Sequence, residues 1–196
     1  VLDLTATPKK ESNIISYVDA VQLKNEHMVK LPVIVYNRDS QSEVLIDAID
    51  LRNKLEEIAS AEYAKTGKYI RPIALFQAQP KGKEDATTFE KLRDKLVDAG
   101  IPAEQIAIRT ADVNELKNVE LMSLSCPIRY IITVNALKEG WDCPFAYILA
   151  SLANKTSQVD VEQILGRILR LPHTSQHTQS ALNMSYVLTS SNDFNN

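Results

Sequence analysis

Three observations predict an α/β fold built on a parallel sheet with helices on both faces. Short apolar runs of strand length alternate with stretches of helical periodicity along the chain. The helical stretches are punctuated by hydroxyl residues at their starts and glycines at their ends. The chain has 196 residues, which is room for one domain, or one and a fraction, able to bury most of its apolar surface without a disulfide or metal staple.

The elements follow in order. Residues 1–4 read as the end of a buried strand, and 31–36 as a second, with Pro32 at its start, where a missing donor costs little. From about 42 to 65 a long helix is predicted, because Val44, Ile46, Ile49, Leu51, Leu55, Ile58 and Ala59 recur near helical spacing, and Gly67 sits just past its end. Residues 73–76 form a buried strand, followed by a polar loop over 77–85. Thr87 and Glu90 then have capping-box spacing, Phe89, Leu92 and Leu96 mark one helical face, and Gly100 closes it before Pro102. A strand at 106–109 and a short helical segment near 113–124 come next. Residues 130–134, 147–150 and 185–188 are three further strands, with a helix from about 159 to 171 between the last two.

Composition excludes several classes. With 22 Lys+Arg against 25 Asp+Glu the net charge is −3, so a highly basic, histone-like binder is excluded, while nucleic acid held by a few local contacts is not. Charged residues at 24% and the lack of low-complexity tracts exclude the disordered class. Cys126 and Cys143 are too few for a disulfide framework, which fits a reducing cytosol. No apolar run reaches the ~18 residues of a membrane span. No signal peptide is expected, and a strand beginning at Val1 rather than after a Met leads us to expect a piece of a longer polypeptide.

The most informative segment is Gln163-Ile-Leu-Gly-Arg-Ile-Leu-Arg170. At 100° per residue, Gln163, Arg167 and Arg170 share a stripe roughly 60° wide, with Val161, Ile164, Leu165 and Ile168 opposite. A solvated polar face is the bland explanation. Against it, the stripe carries two arginines and no lysine, and arginine suits forked contacts with phosphate. Gly166 also costs the helix about 1 kcal/mol relative to alanine with no local reason, unless another backbone approaches closely.

A second segment, Thr133-Val-Asn-Ala-Leu-Lys-Glu-Gly-Trp-Asp-Cys-Pro144, follows a buried strand, which places it at the carboxyl edge of the sheet, where open α/β folds bind ligands. Gly140 permits a tight turn there, and Asp142 has the chemistry to accept from a ribose hydroxyl or orient an arginine. Trp141 either stacks on a base or covers the core, the commoner use. A third segment, Leu4-Thr-Ala-Thr-Pro8, puts two hydroxyls, Thr5 and Thr7, in the turn after a strand. Other constellations fail. His173 and His177 stand four apart but in a Ser/Thr-rich loop without an acidic or thiol neighbour, so a metal is not expected. Cys143 has no base partner, and Gly67-Lys68 and Gly82-Lys83 lack the rest of a phosphate-binding loop.

In this order the three segments resemble motifs III, V and VI of superfamily two helicases: Thr5-Ala-Thr-Pro8, Glu139-Gly-Trp-Asp142, and Gln163-x-x-Gly-Arg-x-x-Arg170. The wording of 137–149 and of 161–172 is similar to the motor part of the Res subunit of type III restriction endonucleases. The resemblance covers about residues 1–8 and 70–190. It implies that residues 1–8 end a first motor lobe, 9–69 connect, and 70–196 form a second, RecA-like lobe. ATP and Mg2+, held mainly by the first lobe, would lie in the cleft between lobes, with double-stranded DNA across both.

The resemblance implies roles residue by residue. Arg167 and Arg170 would reach the γ-phosphate, one as an arginine finger, an effect worth 10³–10⁵ in rate by stabilising transition-state charge. Gln163 would orient the nucleotide or the attacking water, with Gly166 beside it. Gly140 and Asp142 would couple the nucleotide to the DNA-binding loop, Thr133 or Asn135 would touch a phosphate, and Thr5 and Thr7 would link hydrolysis to lobe movement. The family's partner would be a methyltransferase subunit in a bacterial cytoplasm, with no membrane. Two departures stand out. Where many relatives place the motif V threonine, six residues before the glycine, this chain has Val134, with its threonine at Thr133. Motifs I and II and a nuclease signature are missing, so the segment alone is expected to be inactive as an ATPase. The competing expectations are a degenerate lobe serving as a protein-binding scaffold, and a lobe of another superfamily two repair or RNA helicase.

Overall fold

The computed structural model describes residues 19–79, 87–134, 142–152, 166 and 168–190. Six strands, β1 (Val33–Asn37), β2 (Ile73–Gln77), β3 (Ile106–Arg109), β4 (Tyr130–Thr133), β5 (Ala146–Ser151) and β6 (Ser185–Thr189), form one sheet in the order β1-β6-β5-β2-β4-β3. Every pairing is parallel. The fold is therefore α/β, as its sequence predicts. Strands β2, β5 and β6 are buried along their whole length, the pattern of strands covered on both faces. Edge strand β1 is only half-buried, and Val35 on it is exposed.

Among the described residues, the α-helices with both ends defined are α1 (Ala20–Asn25), α2 (Gln41–Thr66) and α3 (Phe89–Asp98). Helix α2 starts where Ser40 accepts from the Glu43 N–H at 3.2 Å and stops at Gly67, whose φ of 72° is open to glycine at little cost. It buries a single stripe, Val44, Leu45, Ala48, Arg52, Leu55, Ala59 and Glu62, against β5, β6 and β2. Ile46, counted in the predicted apolar face, is exposed. Both β1 and α2, which lie in the 9–69 stretch, thus share the sheet and core of the later strands.

The strand order runs one way from β1 through β2 to β3 and then returns through β4 and β5 to β6. With right-handed crossovers, the β1–β2 and β2–β3 connections put α2 and α3 on the same face of the sheet.

Three local expectations need correction. Helix α3 is capped by Thr88, which accepts from Lys91, and not by Thr87, whose hydroxyl donates to Gln41 Oε1 at 2.9 Å. The segment near 113–124 contains turns and no helix. There Val119, Ser123 and Cys126 donate to the carbonyls three residues before them, which closes turns and not an i+4 ladder, and the carbonyls of Leu121 and Ser123 also accept from the buried Arg71 guanidinium. The helix expected to reach 171 has ended by Leu169, because Arg170 forms an antiparallel bridge with Val29. The strand at 1–4 lies outside the described residues.

Candidate functional site

Strands β5 and β2 are neighbours at the centre of the sheet, and the strand order reverses between them, β2 being followed in sequence by β3 on one side and β5 by β6 on the other. The carboxyl ends of strands at such a topological switch are the usual ligand position in open α/β sheets. In register across the sheet, the last residue of every strand is polar: Asn37, Thr189, Ser151, Gln77, Thr133 and Arg109. The four central ones are buried. Ser151 donates to Gln77 Oε1 at 3.2 Å, and Gln79 and Gln41 both donate to the Leu152 carbonyl, at 2.9 and 2.8 Å. Thr87 closes the network through Gln41 and through its N–H to Gln79 Oε1. This polar row ties the central strands to the start of α2. Thr133 sits within it, 1% exposed, with its carbonyl accepting from Ala78.

The segment 133–144 does not stay at that edge. Thr133 ends β4, whereas Asp142, Cys143 and Pro144 lead into β5, at the opposite, amino edge of the sheet, about 17 Å away for a strand of this length. There Asp142 accepts from Arg170 Nη1 in an ion pair. Both side chains are open to solvent, Arg170 at 64% and Asp142 at 38%. Arg170 is brought there by the two-bond ladder between 28–30 and 169–171, in which Lys30 N–H donates to the Leu169 carbonyl and Leu171 N–H to the Met28 carbonyl.

Beneath the pair lies Lys30, completely buried. Its ammonium donates to the carbonyls of Pro144 at 2.8 Å, Ala146 at 3.0 Å and Arg170 at 2.8 Å, over the Tyr147 ring at 4.4 Å. Burial lowers its pKa to about 7, against the opposing pull of Cys143 and Asp142. Burial also pushes the Cys143 thiol up to about 11, so at neutral pH it is a protonated core group and not a nucleophile.

Of the residues singled out from sequence, the structure brings together Asp142 and Arg170. Gly166 is exposed, and a Cβ there would meet nothing within 4 Å, so the close approach expected at this glycine is not made by the described part of the chain. Thr5, Thr7, Asn135, Gly140, Gln163 and Arg167 lie outside the described residues. Sequence reasoning missed Lys30 and the polar row. The row has a visible signal, since each apolar strand ends on a polar residue. Lys30 has none, because its three acceptors lie more than a hundred residues away.

His173 Nε2 contacts the Tyr69 carbonyl at 2.8 Å, and its ring packs edge-on to His177. Among the described residues, no group of three His, Cys, Asp or Glu side chains is arranged to hold a metal, and no helix is long and apolar enough to cross a membrane. No known protein family matches the chain, and no characterised protein matches it.

Proposed function

We propose that the chain is the second motor lobe of an ATP-dependent DNA translocase of superfamily two, of the kind found in the Res subunit of type III restriction enzymes. The observation that carries this reading is the Asp142–Arg170 pair. The motif V acid and the motif VI arginine, read from separate segments, meet with the guanidinium on the open surface. An exposed pair of this kind contributes about 0–1 kcal/mol to stability, so the fold has little use for it. A fully buried leucine or isoleucine of the β2–β5 core contributes roughly 1.5–3 kcal/mol. The lack of any contact over Gly166 from the described residues supports the same reading, since it leaves room for a partner surface.

In this reading Arg170 and Arg167 face the γ-phosphate held, with Mg2+, by a first lobe, and double-stranded DNA crosses both lobes. A methyltransferase subunit supplies sequence recognition. Gln163 orients the nucleotide or water; Gly140, Asp142 and Gly166 shape the nucleotide side; Thr133, Asn135, Thr5 and Thr7 belong to the coupling path. Because Thr133 is buried, its contribution to that path runs through the Ala78 contact and the polar row.

The test is DNA-stimulated ATP hydrolysis by a polypeptide carrying both lobes, comparing the parent with Arg167→Ala and Arg170→Ala. A loss of at least about a hundredfold in turnover, with nucleotide binding retained, is expected. Unchanged hydrolysis overturns the reading and leaves a scaffold with an exposed polar edge. The isolated 196-residue chain is expected to hydrolyse no ATP and to bind DNA weakly, with affinity falling as salt rises.

A further inference from the structure

We propose that Lys30 is a positioning residue for Arg170, fixing its main chain against the 142–146 segment so that the guanidinium is presented in one orientation. This inference rests on the motor-lobe reading for its functional consequence, but its structural part does not.

The geometry is a two-point hold. The side chain of Arg170 is held by Asp142, and its carbonyl by the Lys30 ammonium, which also grips the carbonyls of Pro144 and Ala146, two and four residues after Asp142. One buried cation therefore joins both anchors of the arginine. The shape of the donor matters. An ammonium directs three N–H groups into a tetrahedral fan, and here it meets three carbonyls from two separate chain segments, whereas a planar guanidinium fork would not. Four methylenes let the charge reach from the 28–30 ladder, past the Tyr147 ring, to the start of β5.

The energetic argument points the same way. An unpaired buried ammonium is costly, and Lys30 has no carboxylate within salt-bridge distance among the described residues. Stability alone favours an apolar residue at such a place. What the lysine gives in return is a fixed Arg170, and a misplacement of about 1 Å in a catalytic group is worth about a hundredfold in rate.

The experiment uses NMR on the 196-residue chain together with turnover by the two-lobe polypeptide. In the wild-type chain, the Arg170 Nε–Hε signal, assigned by its loss in Arg170→Lys, is expected to shift in step with Lys30 as pH crosses neutrality. The other ionisable groups around Lys30 are Asp142, Arg170, the Cys143 thiol, held protonated to about 11, and the Tyr147 phenol, raised well above its usual range by burial. An Arg170 signal indifferent to the Lys30 titration overturns the proposal, and this readout needs no change at Lys30. In Lys30→Met, and in Lys30→Gln with two donors left, the Arg170 signal broadens while the strand amides keep their dispersion. Turnover then falls by about ten- to a hundredfold with the KM for ATP kept within about twofold. Unchanged turnover in a folded Lys30→Met also overturns it. Absent hydrolysis in the wild-type two-lobe protein sinks the motor reading alone, because the NMR readout still decides what Lys30 does.

Discussion

Asp142 and Arg170, 28 residues apart in sequence, meet as an ion pair at the edge of the sheet where β5 begins. Each reaches that edge by a different route, Asp142 on the approach to β5 and Arg170 on the ladder that residues 28–30 form with 169–171.

Because both side chains are open to water, the pair adds little to folding. Arg170→Ala and Asp142→Asn are each expected to change the free energy of unfolding by less than about 1 kcal/mol in urea titrations of the isolated chain. The same substitutions in the two-lobe polypeptide are expected to lower ATP turnover. A shift in unfolding as large as a core truncation, about 2–5 kcal/mol, would show that the pair is structural after all.

Lys30 makes stability depend on alkaline pH. Its folded pKa, about 7, lies below the usual 10.5, so between these values the unfolded chain binds the extra proton and stability rises with pH. The slope approaches about 1.4 kcal/mol per unit near pH 8–9. Above about 9 the raised Cys143 thiol works in the opposite sense, since the unfolded chain ionises first. Urea unfolding of the wild type across about pH 7–9 is therefore expected to climb, and that of Lys30→Met to stay flat. A wild type that loses stability over this range contradicts the assignment.

Much of this was legible in the sequence and some was not, and the boundary follows sequence distance. The strands and α2 were readable because apolar runs, Ser40 and Gly67 act within a few residues. Each of the three corrected elements carries a long-range partner. Thr87 leaves the cap position because its hydroxyl is engaged by Gln41, 46 residues away. The 113–124 segment looks helical by its apolar spacing but closes into turns, fastened by Arg71, about 50 residues earlier, through the Leu121 and Ser123 carbonyls. Helical periodicity carries no such information, nor does it show that Arg170 has left its helix to pair with Val29. The buried stripe of α2 likewise includes Arg52, which pairs with Glu56 on its own helix and lies over the Tyr130 ring, and Glu62, which accepts from the Thr178 N–H.

Glu62 is the second buried charge with a testable signature. It accepts from the Thr178 N–H at 2.9 Å and from the Thr178 hydroxyl, with His177 Nδ1 at 3.8 Å. Burial alone would raise its pKa, but the Thr178 hydrogen bonds and His177 outweigh it and hold the carboxyl below 4.5. His177 is shifted down from 6.5, chiefly by burial, against the pull of Glu62. As pH falls below about 6.5 the unfolded chain takes up a proton at His177 first, so stability drops there. The contribution of Glu62 is lost only below 4.5. His177→Gln is expected to flatten the upper limb alone, and Glu62→Ala to cost about 2–4 kcal/mol at pH 7. An unchanged upper limb in His177→Gln would refute the assignment.

Arg71 supplies the last prediction. It is 1% exposed, and its guanidinium donates to the carbonyls of Ile128 and Ser123, both at 2.8 Å, to that of Leu121, and to the Tyr69 hydroxyl at 3.4 Å. These contacts fasten the turns of 115–129 to the start of β2. A lysine has too few donors, fanned in the wrong directions, to replace a fork that meets four acceptors. Arg71→Lys is therefore expected to cost about 2–4 kcal/mol, because it leaves buried carbonyls without donors. Amide exchange should accelerate first at Cys126 and Arg129, whose own backbone bonds lie inside this segment or at its junction with β4. The β2 and β5 amides, at the centre of the sheet, should exchange only by global opening. Exchange that rises uniformly across the sheet would mean that Arg71 supports the core as a whole and does not clamp these turns.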